Sequence, residues 1–423
     1  MAQKDVYHTE IAILGGGAAG LMAAVSAARA ADGKAEITVI ERNARVGKKL
    51  LTTGNGRCNL SNNELTGEAY SGSLAKSAAR LFETRGSAYI REYFRTLGLY
   101  TKADGEGRIY PMSNSASSVL DVLRLKLCEY GVRELCGTEV EKVTQEKDGL
   151  YYLHGAESAV TCRALVMTTG GRAAVKGGNA GYGLLKPLGH TCTKLFPSLC
   201  PVPVKSGALR SLKGQRCACT VTLKNGGQAL AREQGELQFT ENALSGICVF
   251  QLSRQCAQLI QQGESPVLCA DLLPDVEYRE LYEELIRRVK EDKTQIEELL
   301  TGILSKRIAL SALKEGGLSP LGRRVGEIKE KQLKRLCQIL KGWEFEAAPP
   351  CSFQQAQVTA GGIPAKELDM ETMASRKKDG LYFAGELLDL DGKCGGYNLH
   401  WAWVSGIIAG KSAAEFLRGG NKR

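Results

Sequence analysis

The stretch that most limits what this chain can become is "EIAILGGGAAGLMAAVSAARAADGKAEITVIER", residues 10–42. The apolar run at 10–14 reads as a buried parallel strand, the small-residue segment 18–31 as a helix, and 37–40 as a second strand closed by Glu41. Between strand and helix stand Gly15, Gly16, Gly17, Ala18, Ala19 and Gly20. In that setting Gly15 permits the tight turn, Gly17 lets backbone approach a pyrophosphate, and Gly20 lets helix and strand pack closely. The start of the helix offers free N–H groups and a positive dipole end to phosphate. Glu41 would accept hydrogen bonds from both ribose hydroxyls of an adenosine half, which disfavours a 2′-phosphate there. Residues 11–28 carry no charge. Three consecutive glycines nevertheless break the helix that a membrane span requires, and no small-residue cleavage site follows a basic start, so no spanning or targeting segment is expected.

The next segment, "RNARVGKKLLTTGNGRCNLSNN" at 42–63, crowds Arg42, Arg45, Lys48, Lys49 and Arg57 around Gly47, Gly54 and Gly56. A cationic loop with pliant backbone, directly after a dinucleotide fold, suits phosphate or flavin. Cys58 lacks a resolving partner nearby in sequence and reads as a buried small residue rather than a redox thiol. The end of the chain, "GLYFAGELLDLDGKCGGYNLHWAWVSGIIAG" at 380–410, repeats the logic. A buried strand at 381–384 ends in Gly385 and Glu386, and Gly395 and Gly396 bring bare backbone to the start of a helix. A carboxylate there can take a ribityl hydroxyl. The helix start can face a flavin's pyrimidine edge, which becomes negative on reduction.

With 423 residues the chain has room for roughly two or three domains, and 43% hydrophobic residues can fill their cores. Between about 195 and 348 the glycine-rich pattern stops. Residues 201–271 alternate over short runs, with Asn225-Gly226 marking a hairpin, and 275–342 turn helical and charged. The expected architecture is α/β: a discontinuous Rossmann-like domain from 1–194 and 349–423, a β-rich insert at 195–274 and a helical insert at 275–348. The insert is expected to roof the flavin, with the substrate cleft between it and the flavin domain.

The net charge of +10 permits nucleic acid but equally suits phosphates or carboxylates. No arginine-rich tail or RNA-binding signature accompanies it, so a small molecule is the expected partner. Fourteen cysteines are scattered, with one Cys-x-Cys (Cys217, Cys219) and no Cys-x-x-Cys, and four histidines are spread along the chain. No metal site is expected, and a reducing cytoplasm fits best.

In an ordered set of motifs the chain resembles the HI0933-like (BaiN-like) group of bacterial flavoproteins, which includes NAD(P)/FAD-dependent oxidoreductases and aminoacetone-oxidase-like proteins. The resemblance is carried by "GGGAAGL" (15–21), "GKKLLTTGNGRCNLSN" (47–62), "GRIYPMSNSASSV" (107–119), "VMTTGG" (166–171), "GELQFTENALSGICVFQLSR" (235–254), "VTAGGI" (358–363) and the long segment 371–410. It implies tightly bound FAD, with Gly15, Gly17 and Gly20 at the pyrophosphate and Glu41 with Arg42 around the adenosine. It further implies backbone at Val140 for the adenine, Thr169 and Gly170 beside the cofactor, and Glu386 with Gly395, Gly396, Tyr397, Asn398 and Leu399 holding the ribityl chain and isoalloxazine. The loop residues Gly47, Lys48, Lys49, Gly54, Asn55, Gly56, Arg57 and Cys58, with Ala18, Ala19 and Gly385, complete the expected cofactor set.

Where many relatives carry histidine after Phe-Thr, this chain has Glu241, and His400 follows the "GGYNL" segment. Tyr110, Glu241 and His400 are the expected proton donors. The expected activity is reduction of an activated C=C or C=O, in which NAD(P)H reduces the flavin and N5 passes hydride to the substrate. A single dinucleotide fingerprint leaves NAD(P)H as a transient donor. Amine or aminoketone oxidation, tRNA modification and flavin binding without turnover are the alternatives.

Overall fold

The computed structural model describes residues 5–156, 158–173, 181–349 and 352–419. The chain forms two compact units, 1–195 with 358–423, and 196–357.

The first unit is built on a five-stranded parallel sheet. Its strands are β1 (Ile11–Leu14), β2 (Ile37–Glu41), β3 (Arg133–Cys136), β4 (Ala164–Met167) and β5 (Leu381–Phe383), in the spatial order β5-β4-β1-β2-β3. The four registers align Leu14 with Ile40 and with Met167, Met167 with Phe383, and Glu41 with Cys136. All these strands therefore end level with one another. β1, β2, β4 and β5 are buried along their whole lengths, which accounts for their unbroken apolar runs. A separate antiparallel meander, Val140–Gln145, Tyr151–Gly155 and Ser158–Cys162, carries the strand Asp5–His8 parallel to its last member. This strand order with parallel pairing is the Rossmann-type α/β architecture expected from the motifs.

Two helices close the sheet over the sequence termini. α1 (Ala18–Ala31) follows the glycine turn, and α2 (Tyr397–Gly419) ends the described chain. They pack backbone to backbone. A Cβ on Gly406 would lie 2.5 Å from the Ala19 carbonyl oxygen, and one on Gly410 would lie 2.1 Å from that of Ala23. Alanines on one helix and glycines on the other, each four apart, form matching flat stripes, and no larger residue fits.

Another tie precedes β5. The buried Glu367 accepts from His190 Nδ1 at 2.7 Å, and His190 Nε2 meets Ser375 Oγ at 2.8 Å. Ser375 Oγ also accepts the Lys377 and Lys378 amides at 3.0 Å each, so this serine is anchored as a clamp between segments. The His190 ring sits edge-on to Phe383, 4.8 Å between centroids, at the end of β5.

The second unit holds a closed barrel whose neighbouring strands run Val202–Lys205, Ala243–Ser245, Gln228–Phe239, Arg216–Asn225, Val267–Asp271 and Trp343–Ala347, the last pairing back to the first. The Asn225-Gly226 hairpin is present, with Gly226 and Gly227 both at positive φ. Two local features depart from the sequence reading. Residues 247–261, inside the stretch read as strands, form a helix that buries Cys248, Val249, Leu252, Ser253, Cys256 and Ala257. Residues 343–347, read with the helices, form the strand that closes the barrel, with Trp343, Phe345 and Ala347 buried and Glu344 and Glu346 exposed. One apolar core joins the barrel to the helices Tyr278–Glu291, Lys306–Glu315 and Glu330–Gly342. Among the described residues no helix is long and apolar enough to cross a membrane.

The α1–α2 contact yields a stability prediction. Gly410→Leu should lower unfolding free energy by about 1–3 kcal/mol in urea melts, because its Cβ meets backbone that cannot turn aside. Gly419→Ala, where a Cβ meets nothing within 4 Å, should change it by less than about 0.5 kcal/mol.

Candidate functional site

The level strand ends bring three loops together at one edge of the sheet, the edge at which open α/β sheets bind ligands. After β1 comes the glycine turn. Gly15 has φ +110°, and a Cβ on it would meet the Thr168 carbonyl oxygen at 2.5 Å; one on Gly20 would meet the Gly15 carbonyl at 1.8 Å. These two glycines fulfil the turn and close-packing roles. Gly17 differs: it precedes α1 in extended backbone, and a Cβ there would enter open space. Ala18 and Ala19 begin α1, which has no side-chain cap and no acidic residue in its first turn. Its leading N–H groups are free for an anion.

Glu41 is nine-tenths buried, and its role is broader than expected. One carboxylate oxygen accepts the Gly16 amide at 2.8 Å and the other the Asn43 amide at 2.8 Å. It braces the glycine turn from beneath; the oxygen facing Asn43 also accepts the Asn43 side-chain amide, and the oxygen facing Gly16 keeps a further lone pair for a hydroxyl. Gly47 donates to the Gly16 carbonyl at 2.7 Å and packs against Leu120, so it too supports the turn. Arg42 and Lys48 are exposed. Val140 opens its strand two residues after Thr138, whose amide bonds to the Glu41 carbonyl at 3.0 Å, so it lies next to the end of β2.

The loops after β4 and β5 meet around a second carboxylate. Glu386 takes the Thr359 amide at 2.8 Å on one oxygen and the Lys49 ammonium at 2.7 Å on the other. Thr359 Oγ1 in turn accepts the amides of Arg172 and Ala173 at 2.7 and 2.9 Å. Thr169 and Gly170 lie just before this knot, and Gly170, at φ +72°, faces open space. Gly385 is held by α2, donating to Ser405 Oγ at 3.0 Å and accepting from Trp401 Nε1 at 3.1 Å.

The third group is the loop 54–59 against the start of α2. Gly54, Asn55, Gly56 and Cys58 all have positive φ, an unusually dense run of left-handed backbone. Asn55, Gly56 and Arg57 are exposed, and the Arg57 guanidinium lies 4.8 Å from the centre of the buried Tyr110 ring. Opposite, Gly395 and Gly396 are also left-handed, and a Cβ on Gly396 would lie 2.3 Å from the Ser61 carbonyl oxygen and 2.6 Å from Asn59 Oδ1. Asn398 clamps this turn by accepting the Gly392 amide and donating to the Gly392 carbonyl, both at 2.8 Å. Tyr397 packs edge-on to Tyr70, and Leu399 is half-buried against the core.

A dinucleotide with a flavin head fits this arrangement. Gly17 and Gly170 leave open space where any other residue would carry a side chain. Among the described residues two buried polar atoms, Asn59 Oδ1 and Thr169 Oγ1, have no hydrogen-bond partner, and burial without a partner is costly unless a ligand supplies one. Asn59, Thr359 and Ser405 escaped the sequence reading. Asn59 stood inside "GNGRCN" and Thr359 inside "VTAGGI", but nothing local distinguishes a ligand-facing amide or hydroxyl from a surface one.

Two expected chemical roles change, and one expectation, that Cys58 is a buried residue rather than a redox thiol, holds. His400 is fully buried, with Nδ1 on Ser61 Oγ at 2.9 Å and Nε2 on the Arg85 carbonyl at 3.0 Å. Burial pushes its pKa down to about 3; it is a neutral packing residue and not a proton donor. Glu241 belongs to the second unit, is exposed, and pairs with Lys213 at 2.8 Å, which lowers rather than raises its pKa. It is a poor acid. Cys58 is fully buried and its thiol is pushed up to about 12 by desolvation, so it is inert as a thiolate. Tyr110 alone of the three expected donors stays in the loop cluster.

Two measurements follow. Because the folded pKa of His400 lies below the unfolded value near ~6.5, the unfolded chain binds the proton first as pH falls. Stability present above ~6.5 is then lost down to about 3, at up to ~1.4 kcal/mol per pH unit. Urea unfolding between these pH values should show a shallower acid loss for His400→Gln than for the parent. Glu386→Ala should weaken FAD binding at least about tenfold by flavin fluorescence titration, since it removes a charge-assisted acceptor and leaves Lys49 unpaired.

Residues 9–412 match the family model described as HI0933-like protein Rossmann domain. The chain is 36% identical over 410 residues to the 3-dehydro-bile acid delta(4,6)-reductase of Clostridium scindens, covering 96% of this chain and 99% of that protein. It is 28% identical over 421 residues to the ribosomal RNA dihydrouridine synthase of Haemophilus influenzae, covering 96% and 99%. Among solved structures, E. coli quinol fumarate reductase FrdA shares the fold, at TM-score 0.50 and 17% identity, over 99% of this chain and 72% of that one. With a fingerprint turn, a sheet and a loop cluster that fit FAD, and a family match spanning nearly its whole length, the chain belongs to the HI0933-like family and is an FAD-dependent oxidoreductase.

Proposed function

We propose that the protein reduces a carbon–carbon double bond conjugated to a carbonyl, in a flat apolar ketone of the 3-oxosteroid class, with electrons drawn from NAD(P)H. The observation that carries this reading is the convergence of the loops after β1, β4 and β5 with the loop 54–59, which gathers backbone donors and the buried Tyr110 at one edge of the sheet. The kinship with a delta(4,6)-reductase over 96% of the chain supports the substrate class. A cytoplasmic location accords with the reading, since the scattered cysteines of this chain suit a reducing compartment.

Bound FAD supplies hydride transfer at its N5. The chain supplies the rest. Gly15, Gly17 and the start of α1 hold the pyrophosphate, and Glu41 takes the adenosine ribose. Lys49 pairs with Glu386 at 2.7 Å and sets this carboxylate where it accepts a ribityl hydroxyl. Gly395, Gly396 and the start of α2 present N–H groups and a positive dipole end to the pyrimidine edge, which favours the anionic reduced form. Reduction of a conjugated double bond also needs a proton on the carbon next to the carbonyl. Tyr110 is assigned that role: its ring is held in place beneath the Arg57 guanidinium, 4.8 Å from the ring centre.

A second reading rests on the exposed cations Arg42, Arg45, Lys48 and Arg57 and on the relatives named ribosomal RNA dihydrouridine synthase. The uracil ring carries a double bond conjugated to a carbonyl, so the same groups would serve if the substrate were a uridine in RNA.

Anaerobic stopped-flow spectroscopy separates these steps. NADH or NADPH should bleach the flavin band near ~450 nm, and a 3-oxo-Δ4 steroid should restore it. Tyr110→Phe should leave the bleaching rate within about twofold and slow the restoration by ~10²–10⁴. Restoration at the parent rate in that variant removes Tyr110 as donor. Failure of every conjugated ketone, together with a gain of two hydrogens in RNA uridines by mass spectrometry, would move the substrate to RNA.

A further inference from the structure

The second unit contains a cluster of thiols that the flavin chemistry does not use. Cys217 and Cys219 lie two apart on the strand Arg216–Asn225, so the period of an extended strand puts both on one face. Cys219 is fully buried and Cys217 half-buried. Across the ladder Cys219 faces Gly235, which has no side chain. A Cβ on Gly235 would lie 2.6 Å from Ile247 Cγ2 and 3.8 Å from Cys248 Cβ. The bare glycine thus lets the first turn of the helix Ile247–Gln261 settle onto the sheet and delivers Cys248 beside Cys219. Cys248, also fully buried, is oriented by a contact of its sulfur with the Glu236 carbonyl at 3.5 Å. The Cys219 thiol thus lies between its two neighbours, Cys217 along the strand and Cys248 on the helix.

We infer that Cys217, Cys219 and Cys248 form a thiol relay that senses hydroperoxide at Cys217 and stores the oxidation as a Cys219–Cys248 disulfide. In the first step the Cys217 thiolate attacks a peroxide oxygen; the O–O bond breaks, giving Cys217 sulfenic acid and hydroxide, which takes up a proton as water. In the second the Cys219 sulfur attacks the sulfenyl sulfur, forming the Cys217–Cys219 disulfide and releasing water. In the third the Cys248 thiolate attacks Cys219, transferring the bond and freeing Cys217 as a thiol. Overall two thiols lose two hydrogens and one peroxide becomes two waters. A dithiol reductant restores the start.

The order follows from geometry and charge. Two residues of extended strand span about 6.8 Å between Cα atoms, at the upper limit for a disulfide, so the Cys217–Cys219 bond is strained and passes on. Cys248 sits on a different element and has no such constraint. The Cys219 S–H, which serves one outer thiol at a time, lowers the pKa of each while its own is raised; of the two only Cys217 is partly exposed, which makes it the thiolate that meets oxidant first.

The test uses the full-length reduced chain, graded hydrogen peroxide, alkylation of remaining thiols and peptide mapping by mass spectrometry. The expected product has lost two hydrogens, contains a linked Cys219–Cys248 peptide and an alkylated Cys217, and reverts with dithiothreitol. Cys248→Ser should accumulate the Cys217–Cys219 disulfide. Cys219→Ser should stop at a Cys217 sulfenic acid that dimedone traps, and Cys217→Ser should slow closure at least about tenfold. Exposed Cys128 and Cys192 are internal controls. Their oxidation ahead of the cluster, or conversion of Cys217 to sulfinic acid with no linked peptide, would overturn the relay. The parent chain's peptide map decides the matter even if a serine variant fails to fold.

Discussion

The site depends above all on the contact between α1 and α2. These helices are separated by most of the chain, yet Gly406 and Gly410 of α2 rest directly on the carbonyls of Ala19 and Ala23 in α1. Close backbone approach gains dispersion contacts that no intervening side chain dilutes. It also fixes the last segment against the glycine turn to within a fraction of an ångström. From that position Trp401 holds the Gly385 carbonyl, Trp403 the Leu60 carbonyl and Ser405 the Gly385 amide. The two ends of a discontinuous domain thereby become one binding surface. Gly396 comes to lie against Ser61 and Asn59, and Gly395 against Asn62, because the helix behind them cannot shift.

Buried and half-buried carboxylates are the second organising element. Glu41, Glu367 and Glu386 are each placed among backbone amides or cations that offset the loss of water. Glu41 ties the end of β2 to the glycine turn, and Glu386 ties the end of β5 to Thr359 and Lys49. Glu367 takes His190, Thr191 and Lys377, and these hydrogen bonds outweigh burial and bring its pKa down to about 2. Each brace leaves strand ends rigid where loops must be irregular. A ligand hydroxyl then meets a carboxylate whose position was set before binding, which lowers the ordering cost of recognition.

The parts legible in the sequence share one property, a local physical requirement. Gly15 and Gly20 sit where any Cβ would strike backbone, and the strand-turn-helix pattern around them is complete within 32 residues of chain, from Glu10 to Glu41. Asn225-Gly226 turns a hairpin for an equally local reason. The helix at 247–261 was missed because its apolar positions lie within a stretch whose neighbours alternate as strands. The strand 343–347 was missed because five residues after a long helix carry little signal until Trp343 and Phe345 find the barrel interior. His400 and Glu241 show the same limit in chemistry. Residue type admits both as acids, while burial among Ser61, Phe82 and Arg85 makes one neutral, and an exposed partner, Lys213, holds the other ionised.

By itself, then, the sequence determined a dinucleotide-binding α/β unit, a carboxylate after the last strand and a cationic glycine-rich loop, because steric limits on backbone act over a few residues. Tertiary structure alone decided which polar groups meet: that Lys49 pairs with Glu386 across 337 positions, that Asn59 Oδ1 and Thr169 Oγ1 are buried without a hydrogen-bond partner among the described residues, and that Gly235 opens the space in which Cys219 and Cys248 lie side by side. Hydrogen bonding and desolvation are properties of what surrounds an atom, and those surroundings exist only once distant segments have packed.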